Sequence, residues 1–115
     1  MEPAESVTYF VRYRGVPKPH GDFTDYYRRQ HARILLEMPG ISRLVLHVPA
    51  EWDDPFEVVP DNTDFLAEMT FPNLEVLAAA LQSKAREDAR ADFVNVTRGQ
   101  PMQVTHQAMR SLRVL

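Results

Sequence analysis

The 115-residue sequence predicts an α+β domain in which four strands and two helices alternate as β-α-β-β-α-β. Two observations carry this. Strand-like runs of β-branched and aromatic residues occur at 7–13, 41–48, 65–71 and 102–115, and helix-like apolar periodicity occurs at 22–38 and 73–93. A third is length, since a chain of this size builds one hydrophobic core and not two. That order is the ferredoxin-like plan, a four-stranded antiparallel sheet with both helices on one face. A single domain over residues 1–115 follows.

Residues 1–6 read as a loose tail. In the first strand Val7, Tyr9, Val11 and Tyr13 share one face, and Phe10 lies on the other beside Thr8 and Arg12. Gly15, Pro17, Pro19 and Gly21 punctuate a loop, after which the helix begins either at Pro19 or behind an Asp22 cap. Within the segment DFTDYYRRQHARILLEMPG, Phe23, Tyr27, Ile34 and Met38 fall within an arc of about 60° at about 100° per residue. Pro39 and Gly40 end it. Ile41 to Val48 form the second strand. Residues 49–63 hold three prolines, five acidic residues and the only tryptophan, Trp52, and read as a long excursion.

Phe65 to Phe71 form the third strand, with Glu68 opposite the apolar set and suited to an ion pair with Arg12 or Arg43. Pro72 and Asn73 open the second helix, LEVLAAALQS, and Ser83 can cap its continuation. Gly99 to Pro101 break it, and residues 102–115 alternate as the last strand. Because the helices cover one sheet face only, the apolar residues left on the other, Phe10 among them, call for a partner sheet. The expected assembly is a homodimer.

Composition excludes several classes. A net charge of −3 with scattered basic residues argues against a nucleic-acid partner. Without cysteine there are no disulfides and no thiolate metal ligands, and the four histidines show no metal-binding spacing. No window reaches the about 18–20 apolar residues of a membrane span, and acidic residues stand where a signal peptide needs positive charge. No membrane association and a cytoplasmic location are expected. No nucleotide loop or nucleophile elbow occurs, so no metal and no cofactor is expected.

The chemistry-bearing candidate is His31, about 40° from the centre of the first helix's apolar stripe. Burial disfavours the charged imidazolium, and a neutral imidazole in an apolar pocket removes a proton α to a carbonyl or from a phenol. Tyr27, one turn earlier, is the partner expected to orient it. Tyr9, Trp52, Phe23 and Ile34 are the expected walls of a substrate pocket. A core histidine with a satisfied hydrogen bond fits the same position. The two readings separate on a void: an enzyme should show a few hundred Å³ bounded by His31 and Tyr27, whereas Ile34, Leu35 and Met38 should fill that space in a non-catalytic protein.

The spacing Phe23-x3-Tyr27-x3-His31, followed by Met38, Pro39, Gly40 and a strand, resembles the EthD family. Ala67 to Phe71 is similar to its third strand, and the helix from Asn73 to Phe93, with Asp88, to its tail. Tyr27 stands where tryptophan is commoner. The resemblance covers about residues 7–93 and implies a dimeric α+β barrel, in which two such sheets pack face to face. It implies a small cofactor-independent enzyme working by proton transfer on an apolar carbonyl- or phenol-bearing metabolite, or a non-catalytic dimeric binding or accessory protein on the same scaffold. Fold alone does not choose the reaction.

Overall fold

A computed structural model describes residues 5–115. The first strand, β1 (Glu5–Arg14), begins earlier than Val7, so residues 5 and 6 of the expected tail are strand, and residues 1–4 lie outside the described residues. Alternation along β1 sends Val7, Val11 and Tyr13 into the core. After a loop, α1 (Gly21–Tyr26) starts behind His20. Neither Pro19 nor Asp22 is its cap; Asp22 falls in the first turn, where its charge favours the helix dipole.

The first helix then departs from regular α geometry. A π-helical turn over Tyr27–His31 separates α1 from α2 (Ala32–Leu35). At about 100° per residue, Ile34 would lie about 20° from Phe23 on the helix circumference and Leu35 about 120° away. One extra residue in a turn sets everything after it back by about 100°. That brings Leu35 inward and turns Ile34 aside, and Leu35 is indeed 4% exposed while Ile34 is only partly buried. The same shift brings His31 into the buried face.

Gly40, at φ +80°, makes the turn into β2 (Arg43–His47); any β-carbon there would overlap Val76 Cγ1. β3 (Phe65–Phe71) follows the long loop. Asn73 caps α3 (Leu74–Leu81) by accepting from the Val76 amide at 2.9 Å. Ser83 caps a separate helix, α4 (Lys84–Thr97), accepting from the Arg86 amide at 3.3 Å. β4 (Gln103–Leu112) closes the chain.

The sheet order is β2-β3-β1-β4, antiparallel throughout. The register settles which residues share a face. Tyr9 pairs with Met69 and Ala108, and Leu44 with Met69, so these look toward the helices. Phe10 pairs with Glu68 and Gln107, and Val45 with Glu68, so these occupy the opposite, uncovered face. There Glu68 meets His47 at 3.2 Å and not Arg12 or Arg43; Arg12 reaches Thr63 instead. On the covered side the rings of Tyr13, Phe23, Tyr27 and Phe65 form one cluster with centroids 4.5–6.0 Å apart. No helix among the described residues is long and apolar enough to cross a membrane.

Candidate active site

The π turn and α4 bring His31 against a carboxylate that is 61 residues away in sequence. Nδ1 of His31 lies 2.9 Å from Oδ2 of Asp92. The side chains are 6% and 10% exposed, so the contact is shielded from bulk water. Two further donors complete the carboxylate's shell: Tyr26 Oη gives a hydrogen bond to Oδ1 at 2.6 Å, and Asn95 Nδ2 gives one to the same atom at 2.9 Å. Burial pushes the Asp92 carboxyl up, but the bonds from Tyr26, Asn95 and His31 outweigh it and hold the group below the usual carboxylate range. An ionised Asp92 accepts only, so the neutral ring carries its proton on Nδ1 and its lone pair on Nε2.

His31 lines a cavity of about 50 Å³ between the sheet and the two helical segments. The walls include Tyr9, Tyr27, Leu35, Met38, Met69 and Phe93. At the α4 end Arg90 is exposed, so the cavity reaches the surface there. A void therefore stands before the imidazole, smaller than the few hundred Å³ expected of a pocket that encloses a whole metabolite. At this volume it admits a few water-sized groups. Leu35 and Met38 form wall and do not fill the space; Ile34 is not part of it.

Of the six residues singled out from sequence, His31, Tyr27 and Tyr9 come together at this cavity. Tyr27 packs its ring 4.7 Å from that of His31, but the hydrogen bond that orients the imidazole is the one its Nδ1–H gives to Asp92. Burial pushes the Tyr27 hydroxyl well above its ordinary value, as does its neighbour Tyr13. Tyr13 itself is pushed up to about 12 by burial, against the opposing pull of the Tyr27 hydroxyl and the Arg90 charge. Both phenols stay protonated across the working pH range.

Phe23 belongs to the ring cluster and lies off the cavity wall. Ile34 is turned aside by the π turn. Trp52 is 60% exposed on the loop between β2 and β3, in a separate surface depression with Asp53, Asp54 and Phe56. In the single chain it is not a wall of the His31 cavity.

Asp92 was within reach of a spacing argument. Ala85, Ala89 and Val96 lie within about 40° of one another on the helix circumference, and Asp92 falls about 20° from Ala85. An acidic residue at the edge of an apolar stripe is the signal. Asp88, noted for its place in the second helix, pairs at the surface with Lys84 at 2.6 Å.

The fold and the site define a class: a two-layer ferredoxin-like α+β domain with a buried histidine–carboxylate pair opening on a small apolar cavity. Within it the chain belongs to the EthD family, whose domain pattern matches residues 18–97. An EthD family protein from Bacillus halodurans C-125 is similar in structure, with a TM-score of 0.67 at 17% identity over 89% of this chain and 96% of that one. SnoaB, a cofactor-independent oxygenase from Streptomyces nogalater, is similar at a TM-score of 0.61 and 14% identity, covering 96% and 97%. A dimeric ferredoxin-like protein of unknown function from Thermobifida fusca YX is similar at 0.60 and 10%, covering 98% and 95%. At these identities the likeness is one of fold. No functionally curated protein matches the chain.

Proposed function

We propose that this EthD protein is a small cofactor-independent enzyme that acts by proton transfer on an apolar carbonyl- or phenol-bearing metabolite of a catabolic or biosynthetic pathway. The observation that carries the reading is the His31–Asp92 contact at 2.9 Å, with the imidazole forming part of a cavity wall. Asp92 fixes the ring so that Nε2 serves as the base. As Nε2 takes a proton from carbon α to a carbonyl, or from a phenol, the imidazolium that forms is stabilised by the carboxylate already bonded to Nδ1.

The resulting enolate or phenolate can be reprotonated elsewhere, attack a second carbonyl, expel a leaving group or react with oxygen. Isomerase, cyclase, dehydratase and cofactor-free monooxygenase are thus all within the proposal. That SnoaB is described as a cofactor-independent oxygenase supports such chemistry on this scaffold. Tyr27 and Tyr9 would be walls of the site, with the Tyr27 ring packed at a tilt against the imidazole. Phe23 and Ile34 would act behind them, through packing, and Trp52 would contribute only if a partner or a loop movement brings it near. A homodimer formed through the uncovered sheet face completes the proposal, and the dimeric relative from Thermobifida fusca supports it.

Turnover of a panel of aromatic ketones, lactones and phenols tests the reading. On any accepted substrate, His31→Ala is expected to slow turnover by about 10²–10⁴-fold, and unchanged turnover would remove His31 from the chemistry. The rival reading, a non-catalytic binding or accessory protein, draws support from the 50 Å³ cavity. It predicts saturable binding of a panel member with no product formed.

A further inference from the structure

The charge on the cavity wall itself is one-sided, since the Asp92 carboxylate stands behind His31 and is already taken up by three donors. Arg86 and Arg90, one turn apart on α4, are both part of that wall, whereas no Asp or Glu is. Some other cations have carboxylate partners, as Lys84 has Asp88, Arg110 has Glu5 and Arg14 has Asp61, and those without one, such as Arg28, Arg29 and Arg33, stand exposed on the first helix, away from the cavity. The guanidinium groups of Arg86 and Arg90 make no hydrogen bond and no ion pair among the described residues. That of Arg86 lies 5.7 Å over the Tyr9 ring, a cation–π contact that uses none of its N–H donors.

The two charges act on what the cavity holds. Burial, then Arg86 and Arg90, hold His106 below the ordinary histidine value, and its ring lies 5.9 Å from that of Tyr9. Arg90 also favours the anionic form of Tyr13, deeper inside. Two unneutralised guanidinium groups against apolar walls concentrate positive potential, which is strongest where water is excluded. Such forks match the planar, paired oxygens of a carboxylate.

We infer that Arg86 and Arg90 form a carboxylate-binding rim, so that the substrate is an aromatic or cyclic carboxylate anion held at the α4 end with its acidic proton directed at His31. Tyr9 is then a positioning residue that holds the Arg86 fork. The assignment of the proton's destination rests on the proposed role of His31; the binding of the anion does not. The small void accords with this arrangement, since only the reacting end of such a molecule has to enter it while the carboxylate stays at the rim.

Calorimetric titration with benzoate and with its neutral counterpart benzamide tests the rim without needing turnover. The wild-type protein is expected to bind benzoate about tenfold more tightly than benzamide, with added NaCl weakening benzoate alone. The doubly substituted R86Q/R90Q protein should lose that preference while keeping its melting temperature, and R86K/R90K should keep part of it. His31→Ala should retain the preference while losing turnover, which separates a failed rim from a failed base. Equal affinity for the two probes, no saturable benzoate binding in the millimolar range, or a preference that survives R86Q/R90Q would each overturn the inference.

Discussion

Asp92 is the residue on which the reading of His31 turns. Three donors converge on its carboxylate, and the histidine is the only one of them at the cavity. Asp92→Ala is therefore expected to do two things together. It should strand the His31 Nδ1–H and the Tyr26 hydroxyl, lowering unfolding free energy by about 1–3 kcal/mol in urea titrations. It should also reduce turnover nearly as far as His31→Ala, and the double variant should be scarcely slower than either single one. Since the folded-state carboxyl lies below its ordinary value of 3.8, the stability it contributes is present above that value and is lost as pH falls below it, through the lower folded-state value. Tyr13 works at the other end of the scale. Its hydroxyl moves from 10.0 unfolded to about 12 folded, so its contribution is complete below pH 10 and declines as pH rises toward 12. Two pKa units correspond to about 3 kcal/mol, and Tyr13→Phe should make the alkaline fall in stability measurably shallower. His31 was legible from spacing because its neighbours on the helix are apolar. Asp92 was harder to see because helix α4 is polar overall, and its narrow stripe of Ala85, Ala89 and Val96 gives a weak signal.

At the scale of elements, β3 and the Asn73 and Ser83 caps were readable because alternation and capping are local properties of the chain. The π turn was not, since it leaves no mark in composition and shows only as a change of phase. A straight α-helical count puts Ile34 in the buried stripe, and one extra residue replaces it with Leu35. The 49–63 loop defeated pattern reading for another reason. Its far end is tied to the loop just after β1 by Asp64, which accepts from the Gly15 and Val16 amides at 2.8 and 3.0 Å. Trp52, Phe56 and Val59 remain exposed, so no packing decides where they point within one chain. The π turn itself is open to a direct test. Deleting the exposed Gln30 restores an unbroken α-helical count, in which Phe23, Tyr27, His31 and Leu35 still share a face. The shortened helix should fold with a melting temperature near that of the parent. It should shift His31 by about 1.5 Å along the helix axis, and such a displacement costs about 10²-fold in turnover. Full activity in a folded deletion variant would deny the turn any part in placing the base.

The whole molecule is a slab of one sheet and one helical layer, 38 × 37 × 20 Å. Its radius of gyration of 15.3 Å exceeds the about 13 Å of a compact globule of this length. The plan β-α-β-β-α-β was legible because each element carries its own period, and the antiparallel order β2-β3-β1-β4 follows from that plan once both helices share a face. What the slab leaves bare is the other sheet face, which carries Phe10, Val45, Leu66 and Met109 beside Thr8, Glu68 and Arg12. Met109 is 49% exposed, and Phe10, Val45 and Leu66 are partly so. A half-apolar sheet face of this kind is stabilised by packing against its like, about 10 Å away, with the central strands in contact. We expect the protein to sediment at micromolar concentration as twice its 13.2 kDa chain mass. Phe10 lies on β1, between β3 and β4, so Phe10→Asp would place two like charges near the middle of a two-fold contact while leaving the covered side untouched. Sedimentation of that variant should give the mass of a single chain, with its helix and strand content by circular dichroism unchanged. A wild-type particle of 13.2 kDa would refute the dimer, and a dimer that survives Phe10→Asp would place the subunit contact elsewhere than on this face.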